Sequence, residues 1–203
     1  MKPNERHQRR STAIRKTMDA VSKTMAQPHA VDVIDTAKEY LIELAKKSEL
    51  FPYEDFPIPE KANETLYKIF SDEDGQNALY VYVTRSGGVY RPHDHGKAWA
   101  IIAGVHGHER HYFYERKDGD LTEGPAELVN KGSVVVGPGS AASCMTRGIH
   151  SIEHIDHQPF LHLHCYGYEF EQQDTRLEYD LDKGIAVYSN DVGKILDMPL
   201  SDE

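Results

Sequence analysis

The sequence predicts a mainly β domain, a small sandwich or barrel with helices packed at one end. Three observations lead there. From about Ala78 onward, short runs rich in β-branched or aromatic residues alternate with Gly, Pro, Asp or Asn, the pattern of many short strands joined by turns. Ahead of them, apolar residues recur at helical spacing in two segments. The 203 residues suit one domain with a helical appendage and are enough to bury a core.

Residues 1–16 carry Lys2, Arg6, Arg9, Arg10, Arg15 and Lys16 against Glu5 alone. Such a start reads as a solvated helix end, with an Arg-rich mitochondrial targeting segment as the other reading. Ile14, Met18, Val21 and Met25 line one face of a first helix that Ser11 or Thr12 can cap. Ile34, Ala37, Leu41 and Leu44 do the same after Asp32, and Lys46 and Lys47 close that helix where cations suit its dipole. Both stripes read as packing faces. Phe51–Pro59 holds three prolines and reads as a connector, and a short helix is expected around Glu60–Phe70. Strands are expected at Ala78–Arg85, Ala98–Ala103, His108–Glu115, Ala126–Val129, Ser133–Val136, Ile149–Ile155 and Phe160–Tyr166, with two more at Thr175–Asp180 and Ile185–Ser189. The expected organisation is a helical region over 1–70 packing on a barrel over 71–203, in a single structural unit.

Composition narrows function by exclusion. A formal net charge of −10 argues against a nucleic-acid surface and against binding to anionic membranes. No run approaches the roughly 18 consecutive apolar residues of a membrane span. Cys144 and Cys165 do not make a disulfide framework, and the start lacks a signal-peptide core, so a cytoplasmic location is expected. The oligomeric state is left open.

The informative residue is histidine. Ten of the twelve histidines fall between His93 and His164. Residues two apart on a strand share a face, so His93 and His95 point the same way and can chelate one ion. His150 and His154 share a second face, and His162, His164 and Tyr166 form a third row. Buried without partners, such groups would cost about 1–3 kcal/mol each, so they need hydrogen bonds or a metal. His106, His108 and His111 do not share one parity and are expected on a turn and the outer surface. His157 reads as a solvated turn residue, and His7 and His29 carry no signal.

These residues resemble the cupin superfamily, whose fold is a double-stranded β-helix barrel. Its first motif matches His93-Asp94-His95-Gly96, but Trp99 and Ala100 stand where many members place a metal-binding Glu. Gly132, Pro138 and Gly139 keep the spacing of the second motif. His150 follows after an insertion, Ser140–Gly148, and His154 stands at the position of the family's Asn. Three histidines without a carboxylate, followed by His164-Cys165-Tyr166, look like the thiol dioxygenases of the cysteine and 3-mercaptopropionate dioxygenase type. The likeness covers about 100 residues, with helices preceding the barrel as in that family.

The resemblance implies a non-haem iron oxidoreductase. His93, His95 and His150 would hold one Fe(II), leaving positions for a small organic thiol carrying a carboxylate and for O2 as co-substrate, with a sulfinic acid as product. Three neutral imidazoles leave the ion its 2+ charge, which stabilises a thiolate below its free pKa of about 8.5. Tyr166, oriented by His164, would take the catalytic position beside the ligands. Lys68, or else Arg85, is the nearest match to the family's carboxylate-clamping Arg. His162 replaces a family Ser, and Ala100 replaces the Cys that cross-links to the active-site Tyr, so no thioether is expected. His154 and His162 are expected in the pocket or around the ligands. Cys165 reads as core and Cys144 as an unremarkable small residue. Two other readings keep the same site. One is a Lewis-acid lyase, isomerase or C–C-cleaving dioxygenase on a non-thiol molecule, with Tyr166 as base and zinc, nickel or manganese as the metal. The other is a cupin that binds a small ligand without turnover.

Overall fold

The computed structural model describes residues 1–28, 30–156, 159–189 and 193–201. Two helices, α1 (Pro3–Met25) and α2 (Val31–Ala45), come first. Then follow β1 (Glu64–Phe70), β2 (Ala78–Thr84), β3 (Val89–His93), β4 (Ala100–His106), β5 (Glu109–Arg116), β6 (Gly124–Pro125) and β7 (Leu128–Val136). The remaining strands are β8 (Ala141–Cys144), β9 (Ile149–His154), β10 (Phe160–Tyr166), β11 (Leu177–Asp180), β12 (Ile185–Tyr188) and β13 (Ile195–Asp197). No helix among the described residues is long and apolar enough to cross a membrane.

Strand pairing gives the architecture. Antiparallel ladders join β2 to β10, β3 to β9, β4 to β8 and β5 to β7. The chain is thus one long hairpin, turned at β5–β7 and rolled up so that successive strands alternate between two sheets. One sheet runs β13-β1-β2-β10-β4-β8 and the other β6-β12-β11-β3-β9-β5-β7. That is the double-stranded β-helix of a cupin barrel, with α1 and α2 packed outside it.

Side-chain parity explains why the first sheet is buried on both faces. On β2, Leu79, Val81 and Val83 face the helices, as do Ile101, Ala103 and Val105 of β4 and Leu161, Leu163 and Cys165 of β10. They form one core with Ile14, Met18, Val21 and Met25 of α1 and Ile34, Ala37, Leu41 and Leu44 of α2. Each Val, Leu, Ile or Met among them contributes about 1.5–3 kcal/mol when fully buried. The even-numbered residues of the same strands, among them Tyr80, Tyr82, Ile102, Phe160 and Tyr166, line the barrel interior. Alternation of Leu with His along β10 therefore separates packing from chemistry.

Several segments differ from expectation. Glu64–Phe70 is a strand, not a helix: Leu66 faces the interior while Tyr67 and Ile69 join the helix-side core, a period of two. Residues 128–136 form one strand where two were expected, because a register irregularity opposite Phe113/Tyr114 carries the ladder past Gly132. The insertion at 140–148 supplies β8. The basic start is built into the fold. Arg10 is 4 % exposed, donates to Asp55 at 2.7 Å and to the Leu50 carbonyl at 3.0 Å, and lies over the Phe56 ring. Arg6 reaches the same carboxylate, which is held below the usual range because these guanidinium contacts outweigh the opposing effect of burial.

Candidate metal centre

The two-sheet barrel brings His93, His95 and His150 together. All three are buried, and one ring nitrogen from each lies within 4.8 Å of the other two. His93 and His150 are directly paired across β3 and β9. His95 follows β3 in a turn pinned from inside. There the buried Asp94 accepts hydrogen bonds from the backbone N–H of Gly96 (2.8 Å) and of Leu177 on β11 (3.1 Å). Gly96 has φ +59, and a Cβ there would lie 3.0 Å from Thr175 Oγ1, so the turn requires glycine.

Hydrogen bonding fixes which nitrogens are free. His93 Nδ1 lies 2.8 Å from the Arg91 carbonyl, which can only accept, so Nδ1 carries the proton and Nε2 keeps its lone pair. His150 Nδ1 lies 2.9 Å from His111 Nδ1, and His111 Nε2 lies 2.8 Å from Glu109. The carboxylate accepts from His111 Nε2, leaving His111 Nδ1 to accept from His150 Nδ1, and His150 Nε2 is bare. His150 Nε2 and His95 Nε2 are 3.1 Å apart. Two ligands about 2.1 Å from one ion and about 95° apart would show that spacing. The buried His95 Nδ1 has no bond of standard geometry; Gln173, 2 % exposed, is beside it and favours its protonated form. Burial, then Arg176, pulls His93 down to about 3, and burial with the facing His93 holds His95 and His150 well below the ordinary value. These are neutral imidazoles, the form that binds a metal, so the residues fit a mononuclear ion.

Behind His150 is a charge that the expected site did not contain. Glu109 is 0 % exposed and accepts from His111 at 2.8 Å and His162 at 2.9 Å through Oε1, while His154 Nε2 lies 3.8 Å from its Oε2. Burial alone would raise its pKa, but His162 and His111 bring it well below the usual carboxylate range. His111 is 0 % exposed and not on the surface. Gly107, with φ +78, turns the chain between β4 and β5, so parity restarts there and Glu109 and His111 share the inward face of β5. His162 serves Glu109 and does not reach the three-histidine group. His154 donates no ligand to that group either; its Nδ1 accepts from the Gly88 N–H at 2.9 Å, and burial lowers it to about 4.

A cavity of about 370 Å³ opens onto the centre, lined by His93, His95, His164, Tyr166, Phe170, Arg176, Leu66 and Glu64 among others. His164 Nδ1 and the Tyr166 hydroxyl are 2.9 Å apart, and the Tyr166 ring lies 4.9 Å from that of His95. Burial raises the Tyr166 phenol and lowers His164 to about 3. Neither expected clamp faces this cavity. Lys68 pairs with Glu169 (3.4 Å) and Asp197 (3.6 Å) at the far end of β1, and the exposed Arg85 donates to the Ile58 carbonyl. The guanidinium on the cavity wall is Arg176, whose Nε donates to the Asp94 carbonyl at 3.2 Å. No sequence pattern singled it out, whereas Glu109 was legible once the β4–β5 turn was allowed for. Cys165 lies in the helix-side core and Cys144 is buried in the barrel. His29 and His157 fall outside the described residues.

No family model and no curated protein matches the chain. Solved structures of cupin type are similar at low identity. An oxalate oxidase in complex with the substrate analogue glycolate is 14 % identical over 53 % of this chain, with a TM-score of 0.41. The Schizosaccharomyces pombe Cnp3 cupin domain is 9 % identical over 55 % of this chain and 65 % of its own, TM-score 0.41. A cupin superfamily protein from Desulfitobacterium hafniense DCB-2 is 10 % identical over 61 % of this chain and 88 % of its own, TM-score 0.40. The alignment spans about half of the oxalate oxidase chain (52 %). The fold assignment rests on the strand pairing described above.

Proposed function

We propose that the chain is a non-haem iron dioxygenase of a small organic thiol carrying a carboxylate, with a sulfinic acid as product. The observation that carries this reading is a buried set of three neutral imidazoles with no carboxylate among them, His93, His95 and His150, of which His93 and His95 line one cavity with the Tyr166–His164 pair. Bound Fe(II) would supply the redox chemistry that lets O2 react with a thiolate, which no side chain does alone. In the overall reaction a thiolate and O2 give a sulfinate: the O–O bond breaks, two S–O bonds form, sulfur loses four electrons to oxygen, and the thiol proton leaves to solvent.

The residues divide the remaining work. Arg176, in place of Lys68 or Arg85, meets the substrate carboxylate from the wall beside His95. Leu66, Ile152 and Phe170 give that wall its apolar character and limit water. Tyr166 keeps its proton, because burial raises its pKa, and so acts as a hydrogen-bond donor held by His164. The test is oxygen consumption by protein loaded anaerobically with Fe(II), across a panel of small thiols. Uptake of one O2 per thiol, with both oxygen atoms found in a sulfinate by mass spectrometry, is expected. No uptake with any thiol, or turnover in anaerobic buffer, would overturn the proposal.

A further inference from the structure

We infer that Glu64, Tyr82 and Tyr90 form a subsite for a protonated amine, so that the cavity receives a bipolar ligand, its anionic group toward Arg176 and its cationic group toward Glu64. The inference deepens the thiol reading, and rests on it only for the sulfur between the two ends.

Tyr82 and Tyr90 both donate to Oε2 of Glu64, and their hydroxyl oxygens also touch each other. Three oxygens thus share two hydrogens and one negative charge, an excess of acceptors that a third donor would fill. Both bonds fall on Oε2, and Glu64 lines the same cavity as the metal centre. The partners that hold it are neutral phenols, which orient the charge without cancelling it. Burial raises both phenols, so their protons stay in place. An ammonium entering here would replace its hydration with charge-assisted bonds in a partly desolvated pocket.

The two polar ends are separated along the barrel. Tyr82 pairs with His162 and Ala78 with Tyr166 across β2 and β10, which puts Tyr82 four residues, about 13 Å of strand, from the level of Tyr166. Arg176 belongs to the Tyr166 end, bonded to the turn that carries His95. His164 lies between, its ring 5.2 Å from Tyr82 and 6.1 Å from Tyr166. The same trio also ties β1 and β2 to β3 across the two sheets, so a purely structural role for it is the alternative to be tested.

Binding to the cobalt(II)-loaded protein separates the two. Thiolate binding is read from the sulfur-to-cobalt charge-transfer band, and sulfur-free ligands by calorimetry. The probes are 6-amino-1-hexanethiol against 6-mercapto-1-hexanol, and 8-aminooctanoate against octanoate, with chains long enough to reach from one end toward the other; within each pair the ammonium is the main difference. The ammonium-bearing member is expected to bind about tenfold more tightly, a preference that Glu64→Gln brings close to one while leaving an acceptor for the phenols. Glu64→Asp, which withdraws the charge by one methylene, is expected to cut the preference at least about threefold and serves if the Gln variant does not fold. Preferences near one in the unaltered protein, or ones that survive both substitutions, overturn the inference. No charge-transfer band with either thiol, together with a Glu64-dependent preference for 8-aminooctanoate, would sink the thiol reading and support the subsite.

Discussion

Replacing Glu109 by Gln tests whether a residue with no access to solvent controls the metal centre. Glu109 receives two imidazole N–H bonds on one oxygen, from His111 at 2.8 Å and His162 at 2.9 Å, and His111 in turn orients His150. Glutamine keeps an oxygen that can accept both, but it loses the charge that strengthens such bonds about twofold, and its N–H pair faces the His154 Nε2–H. Each charge-assisted bond is worth about 1.5–3 kcal/mol net, and only the share transmitted through His111 reaches the ligand. Loss of partners around a metal-binding histidine costs roughly 10–100-fold in affinity. Competition with a chromophoric chelator should therefore show Glu109→Gln binding Zn(II) or Fe(II) about 10–100-fold more weakly. His162→Gln touches the same carboxylate but not the path to His150, and should cost less than about threefold. Affinity within twofold of the parent for Glu109→Gln, or an equal loss for His162→Gln, would refute the path through His111.

Acid should destabilise the metal-free protein from about pH 6.5 downward. His93 and His164 at about 3 and His154 at about 4 all lie below the ordinary histidine value. The unfolded chain then binds more protons, stability rises with pH, and these three groups lose about 4 kcal/mol between pH 7.5 and 5.5, read as a falling urea midpoint; a flat midpoint would mean that they are not buried neutral. Tyr166→Phe should leave the iron content unchanged and lower the turnover rate about 100-fold, measured by oxygen uptake against metal analysis. Gly96→Ala must take φ +59 with a Cβ 3.0 Å from Thr175 Oγ1, so it should cost about 1–2 kcal/mol in thermal unfolding and weaken metal retention.

The periodicity of β10 was legible to the residue: Phe160–Tyr166 alternates Leu or Cys toward the helices with aromatic or His residues toward the interior. The same rule misled at His111, because alternation was counted through the Gly107 turn, where a positive φ resets which face is inward. It misled again at 60–70, where a seven-residue stretch carries too few periods to separate helix from strand and pairing with β2 decides. Arg176 reaches its place through contacts about eighty residues away in the chain, with the Asp94 turn, and nothing local announces them. The Asp55 clasp on Arg6 and Arg10 is hidden for the same reason. Single-residue spacing thus located the histidines, while the groups that tune them came from tertiary pairing.

His93, His95 and His150 should hold one ion between them. An anomalous-difference map at the iron edge, from crystals of protein loaded anaerobically with Fe(II), tests it most directly. One peak per chain is expected, about 2.0–2.3 Å from a ring nitrogen of each of these three histidines, with no carboxylate ligand. A peak held by Glu109 with His154 and His162, or no stoichiometric peak at all, would contradict it.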